Sequence, residues 1–340
     1  MKIDIYTHIA PEKYRKSLAK YVPPSEFASR MQTLWDLEAR FRIMDRFDDY
    51  MQVIIVTSTP IEAVARGRDA VDLARTANDE AARLVSKYPD RFLCAAANLP
   101  LDDSEAALRE LDRAVNELGL KGIVIFTPLY FLSDEIQPPA GGKPLDSSEL
   151  MPIYEAMAEY DLPIWIHPNP LHNMNVADYT SETVGKYFAW RIFGWPYQDT
   201  LAQVRLVFSG ILERFPNLKF INHHAGAMVP YFESRVASMY NDAEMYAGLL
   251  SQQGLNKSPI EYFRKFHNDT ALNGSTAGLM CAYAFYGAER LLFGSDMPFD
   301  REGGNIIVGE TIRSIEQMDI SHQDKIAIFE GNARRILLLE

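Results

Sequence analysis

Two kinds of hydrophobic pattern alternate along this chain from end to end. Short apolar runs recur eight times, at Lys2–His8, Gln52–Ser58, Phe92–Pro100, Leu120–Thr127, Pro163–Pro170, Leu218–Gly226, Phe266–Leu272 and Arg290–Pro298. Most are apolar almost throughout, the mark of parallel strands covered on both faces. Between them, apolar residues recur at three- and four-residue spacing, as in Ala63–Tyr88 and Ser104–Leu118. In the second of these, Ala107, Leu108, Leu111, Val115 and Leu118 share one helical face. Strands alternating with helices in this way predict an α/β fold: one (β/α)8 TIM barrel over residues 1–340, with long loops on the catalytic face. No short repeat, low-complexity tract or domain boundary interrupts the pattern.

The first run carries polar chemistry inside its apolar frame. Ile3 and Ile5 alternate with Asp4 and Tyr6, and strand geometry places Tyr6 and His8 on a common face. Two donor groups so spaced at a strand end can grip one ion from one side. Three connections are long. Pro128–Glu149 holds an irregular Pro/Gly stretch. Leu171–Thr200 carries Trp190 and Trp195. Ala227–Lys265 carries Tyr231, Phe232, Tyr240 and Tyr246. Tyr21–Arg30 is a further candidate lid. Such segments cover a pocket or build a subunit interface.

Charge narrows the partners. The chain has 46 acidic and 34 basic side chains, a net charge of −12, and no long basic run, so nucleic acid is not expected. The two cysteines, Cys94 and Cys281, form no CxxC pair and fit a reducing, cytoplasmic compartment. No apolar run reaches ~18 residues, so no membrane span is expected, and the N-terminus shows no signal-peptide pattern.

Six of the seven histidines lie in or just beyond these strands. His8 ends the first and His167 the fifth, with His172 in the following loop. His223 and His224 come late in the sixth, and His267 early in the seventh, lower in the barrel. His322 follows Ser321, a helix N-cap, and reads as a surface residue. Asp296 ends the eighth run. Imidazoles and a carboxylate gathered at one barrel mouth suit Zn, Mn or Fe. His8, His167 and Asp296 are the candidate ligands, with His224 as ligand or acid/base. His223 and His224 are adjacent on a strand, so at most one lines the interior unless a bulge intervenes.

These residues, in this order, resemble the amidohydrolase superfamily, in its branch of aminocarboxymuconate-semialdehyde and γ-resorcylate decarboxylases. The resemblance runs through Asp4–His8, Trp35–Arg40 with Met44-Asp45, Gly119–Gly122, Trp165–Pro168, Leu218–Pro230, Phe293–Phe299 and Glu330–Arg335. It implies that His8, His167 and Asp296 are metal ligands and His224 the catalytic histidine. It also implies that Arg235, eleven residues beyond His224, binds the substrate carboxylate. The branch opens with His-x-His, or with Glu at the first position, whereas this chain has Tyr6 there. A phenol of pKa about 10 ligates poorly unless a strongly Lewis-acidic ion ionises it.

The implied activity is metal-dependent non-oxidative decarboxylation, or hydrolysis, of a small aromatic or unsaturated carboxylate, with Zn or Mn as cofactor and Asp296 and His224 as catalytic groups. The alternative is a dinuclear Fe or Mn/Fe oxygenase in which Tyr6, His8, His167, His224 and Asp296 supply much of the ligand shell and His172 or a loop carboxylate completes it. A barrel without catalysis, in which Tyr6 marks loss of the metal, is the third reading. A homo-oligomer is expected from the aromatic loops and the resemblance.

Overall fold

A computed structural model of the chain describes residues 1–23, 30–56, 59–132, 142–170, 181, 185–242 and 255–339. His172, Tyr246 and most of the candidate lid at 21–30 lie outside the described residues. Seven of the apolar runs form strands: β1 Lys2–Ile9, β2 Tyr50–Val56, β3 Phe92–Ala96, β4 Ile123–Thr127, β5 Pro163–Pro168, β6 Lys219–Asn222 and β7 His267–Asn268. They pair in parallel as two sheets, β1-β2-β3 and β4-β5-β6-β7.

Parallel bridges close the two sheets into a barrel. Ala97 pairs with Ile123 between β3 and β4, Asn268 with Leu291 beyond β7, and Thr7 with Met297 back to β1. The run Arg290–Pro298 is therefore the eighth stave, held by Leu292 N–H on the Asn268 carbonyl (2.9 Å), Ile5 N–H on Phe293 (2.9 Å) and His8 N–H on Met297 (2.8 Å). It is not a regular strand, as the pattern predicted. Ser295 N–H goes to the buried carboxylate of Asp4 (2.9 Å) instead of to a strand neighbour, and Asp296 adopts a left-handed φ of 67°.

Around the staves pack α1 Glu12–Leu18, α2 Leu37–Met44, α3 Arg68–Lys87, α4 Ser104–Asn116, α5 Met151–Tyr160, α6 Trp195–Phe208, α7 Glu233–Asn241, α8 Thr276–Tyr286, α9 Asn305–Glu316 and α10 Asn332–Ile336. Their inward faces follow helical periodicity. In α4, Ala107, Leu111 and Ala114 are buried, and Asp103 caps the first turn by accepting from Ala106 N–H. The barrel interior is a separate cluster of Ile3, Ile5, Val53, Ile55, Val124, Phe126, Trp165, Ile221 and Leu292, which Ile336 of α10 joins. The long connections expected as loops are partly helical. Leu171–Thr200 runs through a π-helical turn, Trp190–Gly194, into α6, and Ala227–Lys265 contains α7 and Pro259–Phe263.

One irregularity in β1 decides what faces inward. The β1–β2 register runs from Asp4 opposite Gln52 to Thr7 opposite Ile54, so β1 carries one extra residue between them. A bulge of this kind resets the alternation of side chains. Ile3 and Ile5 point into the barrel below the bulge, and Tyr6 joins them there. Two hydrogen bonds then span the interior between β1 and β5, which are not neighbours in either sheet. Tyr6 Oη donates to the Ile166 carbonyl (2.8 Å), and Trp165 Nε1 donates to the Ile5 carbonyl (3.0 Å).

Candidate metal centre

His8 leaves the bulged end of β1 fully buried, with Nε2 2.9 Å from Asp296 Oδ1. The His8 carbonyl is fixed from below by Arg40 of α2, whose guanidinium donates to it (2.7 Å) and, through Nε, to Gln52 Oε1 (2.7 Å). His167, near the end of β5, donates from Nδ1 to the Pro168 carbonyl (2.6 Å), which leaves Nε2 as its free donor atom. Its ring stands edge-on to His8 with centroids 5.1 Å apart. Burial and the neighbouring imidazoles of His8 and His223 hold His167 well below the usual histidine pKa, so it is neutral.

β6 ends at Asn222, and there strand alternation stops. His223 is extended, but His224 takes φ 56° and opens a tight turn, so both rings reach the mouth with centroids 3.8 Å apart. The expectation that adjacent histidines diverge fails because no strand continues through them. His223 is buried, and its Nδ1 donates to Asp269 Oδ2; its Nε2 lies 3.7 Å from Asp296 Oδ1. Burial opposes a charge on His223, but the carboxylates of Asp269 and Asp296 outweigh it and raise the group to about 10. Asp296 is the reciprocal case. Burial favours its neutral form, yet His223 and His8 hold it far below the ordinary carboxylate range.

His224 is partly exposed, with Nδ1 donating to Asp199 Oδ2 at 2.8 Å. Asp199 and Gln203 lie one turn apart on α6, and Gln203 Nε2 donates to the Gly226 carbonyl (3.1 Å). Asp269 Oδ1 accepts from Ala225 N–H (3.1 Å). The turn is thereby held from two sides. Gly226 has φ 81°, and a Cβ there would come within 2.4 Å of the Tyr286 ring. Gly226→Ala is accordingly expected to cost about 2–3 kcal/mol of stability through strain and overpacking, read by urea unfolding.

The arrangement fits a cation. Two donors on one ion, each about 2.1 Å from it, stand roughly 3–4 Å apart. The spacings of 2.9 Å and 3.7 Å to Asp296 Oδ1 match that. Among the described residues, the group of three whose ligand atoms all lie within 4.8 Å of one another is His223, His224 and Asp296; His8 and His167 adjoin it but stand outside that spacing. His8 Nδ1 is buried without a hydrogen-bond partner among the described residues, so His8, unlike His167 and His223, has no acceptor orienting its ring from behind.

The remaining candidates do not present a donor atom to that point. Tyr6 is at the centre, but the hydroxyl that would bind an ion as phenolate donates to the Ile166 carbonyl. Burial and the carboxylates of Asp269, Asp199 and Asp296 push its pKa well above that of a free phenol, against phenolate ligation. Arg235 is exposed on α7 and makes no hydrogen bond or ion pair with the described residues. His267 is buried in β7, where Arg290 donates to its Nε2 (3.0 Å), and His322 is exposed behind the Ser321 cap. Sequence reasoning missed Asp199, Asp269 and the role of His223. The signals were Asp269 inside the seventh apolar run and the adjacency of two histidines.

A sequence profile described as amidohydrolase matches residues 3–339. The chain is 28% identical to the 2-amino-3-carboxymuconate-6-semialdehyde decarboxylase of Dictyostelium discoideum, over 100% of this chain and 92% of that one. It is also 28% identical to a γ-resorcylate decarboxylase of a Rhizobium species, over 100% and 98%. Among solved structures, a dihydroxybenzoic acid decarboxylase from Polaromonas, with bound manganese and the inhibitor 2-nitroresorcinol, superposes with a TM-score of 0.79. It is 27% identical, with 99% of this chain and 96% of that chain covered.

Proposed function

This chain belongs to the amidohydrolase family, in the branch of those decarboxylases, and from that premise we propose that it is a divalent-metal-dependent decarboxylase of a small aromatic carboxylate. The observation that carries the reading is the approach of His8 Nε2 to Asp296 Oδ1, 2.9 Å, beside the ring of His167. His8, His167 and Asp296 would hold the ion, and the manganese in the Polaromonas structure supports Mn2+ as its identity. When bound, the ion supplies positive charge that orients the carboxylate and a neighbouring oxygen.

The protein's own groups then move the proton. His224, partly exposed at the mouth and backed by Asp199, is placed to deliver a proton from Nε2 to the ring carbon bearing the carboxylate. Asp199 orients the imidazole and balances its charge. Asp296 is the alternative proton carrier. Once that carbon is protonated, its bond to the carboxylate breaks, the electron pair restores the aromatic ring, and CO2 leaves. Tyr6 favours this reading over the dinuclear oxygenase, since its hydroxyl proton is committed to a backbone carbonyl.

The test is CO2 release from a panel of ortho-hydroxybenzoates by Mn2+-loaded protein. No release from any member, with O2-dependent ring hydroxylation instead, would sink the decarboxylase and favour the oxygenase. Arg235 is proposed as the cation for the substrate's remaining negative group. Arg235→Ala is expected to raise KM roughly tenfold or more with kcat little changed; an unaltered KM returns Arg235 to an ordinary surface position. We further infer a cytoplasmic homo-oligomer. Both cysteines are free thiols, and Tyr187, Phe188, Ile192, Phe193 and Tyr197 crowd one exposed segment. No helix among the described residues is long and apolar enough to cross a membrane.

A further inference from the structure

Building on the metal reading above, we propose that His223 is itself a ligand and that Tyr6 is the platform holding its ring. This chain then grips its cation with three imidazoles, His8, His167 and His223, and one carboxylate, Asp296. The donor lost when Tyr stands in the first-strand slot is restored from the residue just beyond the sixth strand.

The contacts of His223 carry the argument. Its Nδ1–H is committed to Asp269, so Nε2 is the nitrogen presented to the centre. That atom faces Asp296 Oδ1 at 3.7 Å. The separation is too long for a hydrogen bond and right for two donors sharing an ion. A carboxylate behind a histidine, with the other ring nitrogen free, is the arrangement that orients ligand histidines and raises their basicity.

Tyr6 lies flat against the same ring, with centroids 4.0 Å apart and planes inclined by 4°. Its hydroxyl is anchored across the barrel on Ile166. The phenol therefore fixes the plane of His223 without entering the ligand set. His224 is the competing candidate, since its ligand atoms also lie within the same 4.8 Å cluster. Its partial exposure and its tie to Asp199 suit the proton carrier at the mouth, whereas His223 is buried beneath it.

The chemical consequence is a nitrogen-rich site. Ligation requires the Nε2 proton of His223 to leave as the ion enters; three neutral imidazoles and one carboxylate then leave a net charge of +1 with a divalent ion, which draws an anionic substrate. Such a donor set selects Zn2+, Mn2+ or Fe2+ over Mg2+ and Ca2+.

The experiment measures Mn2+ affinity by chelator competition, with pulsed paramagnetic resonance counting directly bound imidazole nitrogens. The unmodified chain and His224→Ala are both expected to show three. A count of two in either overturns the proposal. His223→Ala is expected to lose affinity by more than the roughly 10–100-fold typical of an outer partner, and Tyr6→His in the same chain is expected to recover most of it. A folded His223→Ala that binds Mn2+ as the unmodified chain does also overturns it. If His223→Ala does not fold, the nitrogen count on the unmodified and His224→Ala proteins decides alone. An unmodified chain that binds none of Mn2+, Zn2+ or Fe2+ would instead remove the metal reading itself, a result distinct from a two-imidazole count.

Discussion

Asp296→Asn is expected to lower kcat by about 10²–10³-fold or more while leaving the fold intact. The amide keeps the size and shape of the carboxylate, and the main chain at this position is tied down independently, with Asp296 N–H on the Tyr6 carbonyl at 3.0 Å. What is lost is one negative charge at the point where His8 and His223 converge. In the native protein that charge persists because the two imidazoles outweigh the burial that opposes it. Without it, the proposed ligand set has no anion, and the carboxylate facing His8 and His223 can no longer carry a proton. Bound Mn2+ should fall together with turnover, and urea unfolding should shift little. Full turnover in a metal-loaded Asn variant would remove Asp296 from the chemistry.

Arg40→Ala is expected to destabilise the protein by about 3 kcal/mol or more and to depress activity as well. Arg40 is completely buried, and its guanidinium donates to the carbonyls of His8 (2.7 Å) and Thr33 (3.3 Å) and to Gln52 Oε1 (2.7 Å). Truncation leaves a cavity and buried acceptors without donors. Each such acceptor costs about 1–3 kcal/mol if nothing replaces the bond. The effect should reach the metal centre, because one of those acceptors belongs to His8. Urea unfolding and Mn2+ affinity read the two consequences separately. A change below about 1 kcal/mol would mean that water or Gln52 takes over the vacated bonds.

The barrel was legible because buried parallel strands are apolar almost throughout, and the runs at β2 to β5 follow that rule, whereas β7 is only His267–Asn268 and was placed by the alternation of runs and helices. The eighth run was legible in place but not in form, since Ser295 and Asp296 break the ladder by bonding Asp4 and by turning left-handed. The placement of His8, His167 and Asp296 near one another was legible because each lies at or near the end of its run, and a run's end is the barrel's mouth. The bulge in β1 was hidden, because Ile3 to Ile9 are all buried and leave no alternation of buried and exposed positions in which the reset would show. The separate roles of His223 and His224 depend on a turn that starts one residue after Asn222, and boundaries of that precision are the least readable feature of a chain. Asp199 is inaccessible to such reading, since it lies 25 residues before His224 on a helix whose other buried positions include Ala202 and Leu206. Arg235 came from the resemblance alone, and its exposure on α7 is what the KM measurement must weigh.

The two hydrogen bonds that reach across the interior, Tyr6 to Ile166 and Trp165 to Ile5, act as struts just beneath the ligands. Each strut begins or ends within a few residues of His8 or His167, so the gap between those imidazoles is set by aromatic girders and not by whatever sits above them. An ion held as proposed would find its coordination distance already gauged, and its departure would not let the walls sag. Swapping Tyr6 for a smaller residue would thus retune the bore of the barrel at the same stroke as it altered the chemistry of the rim.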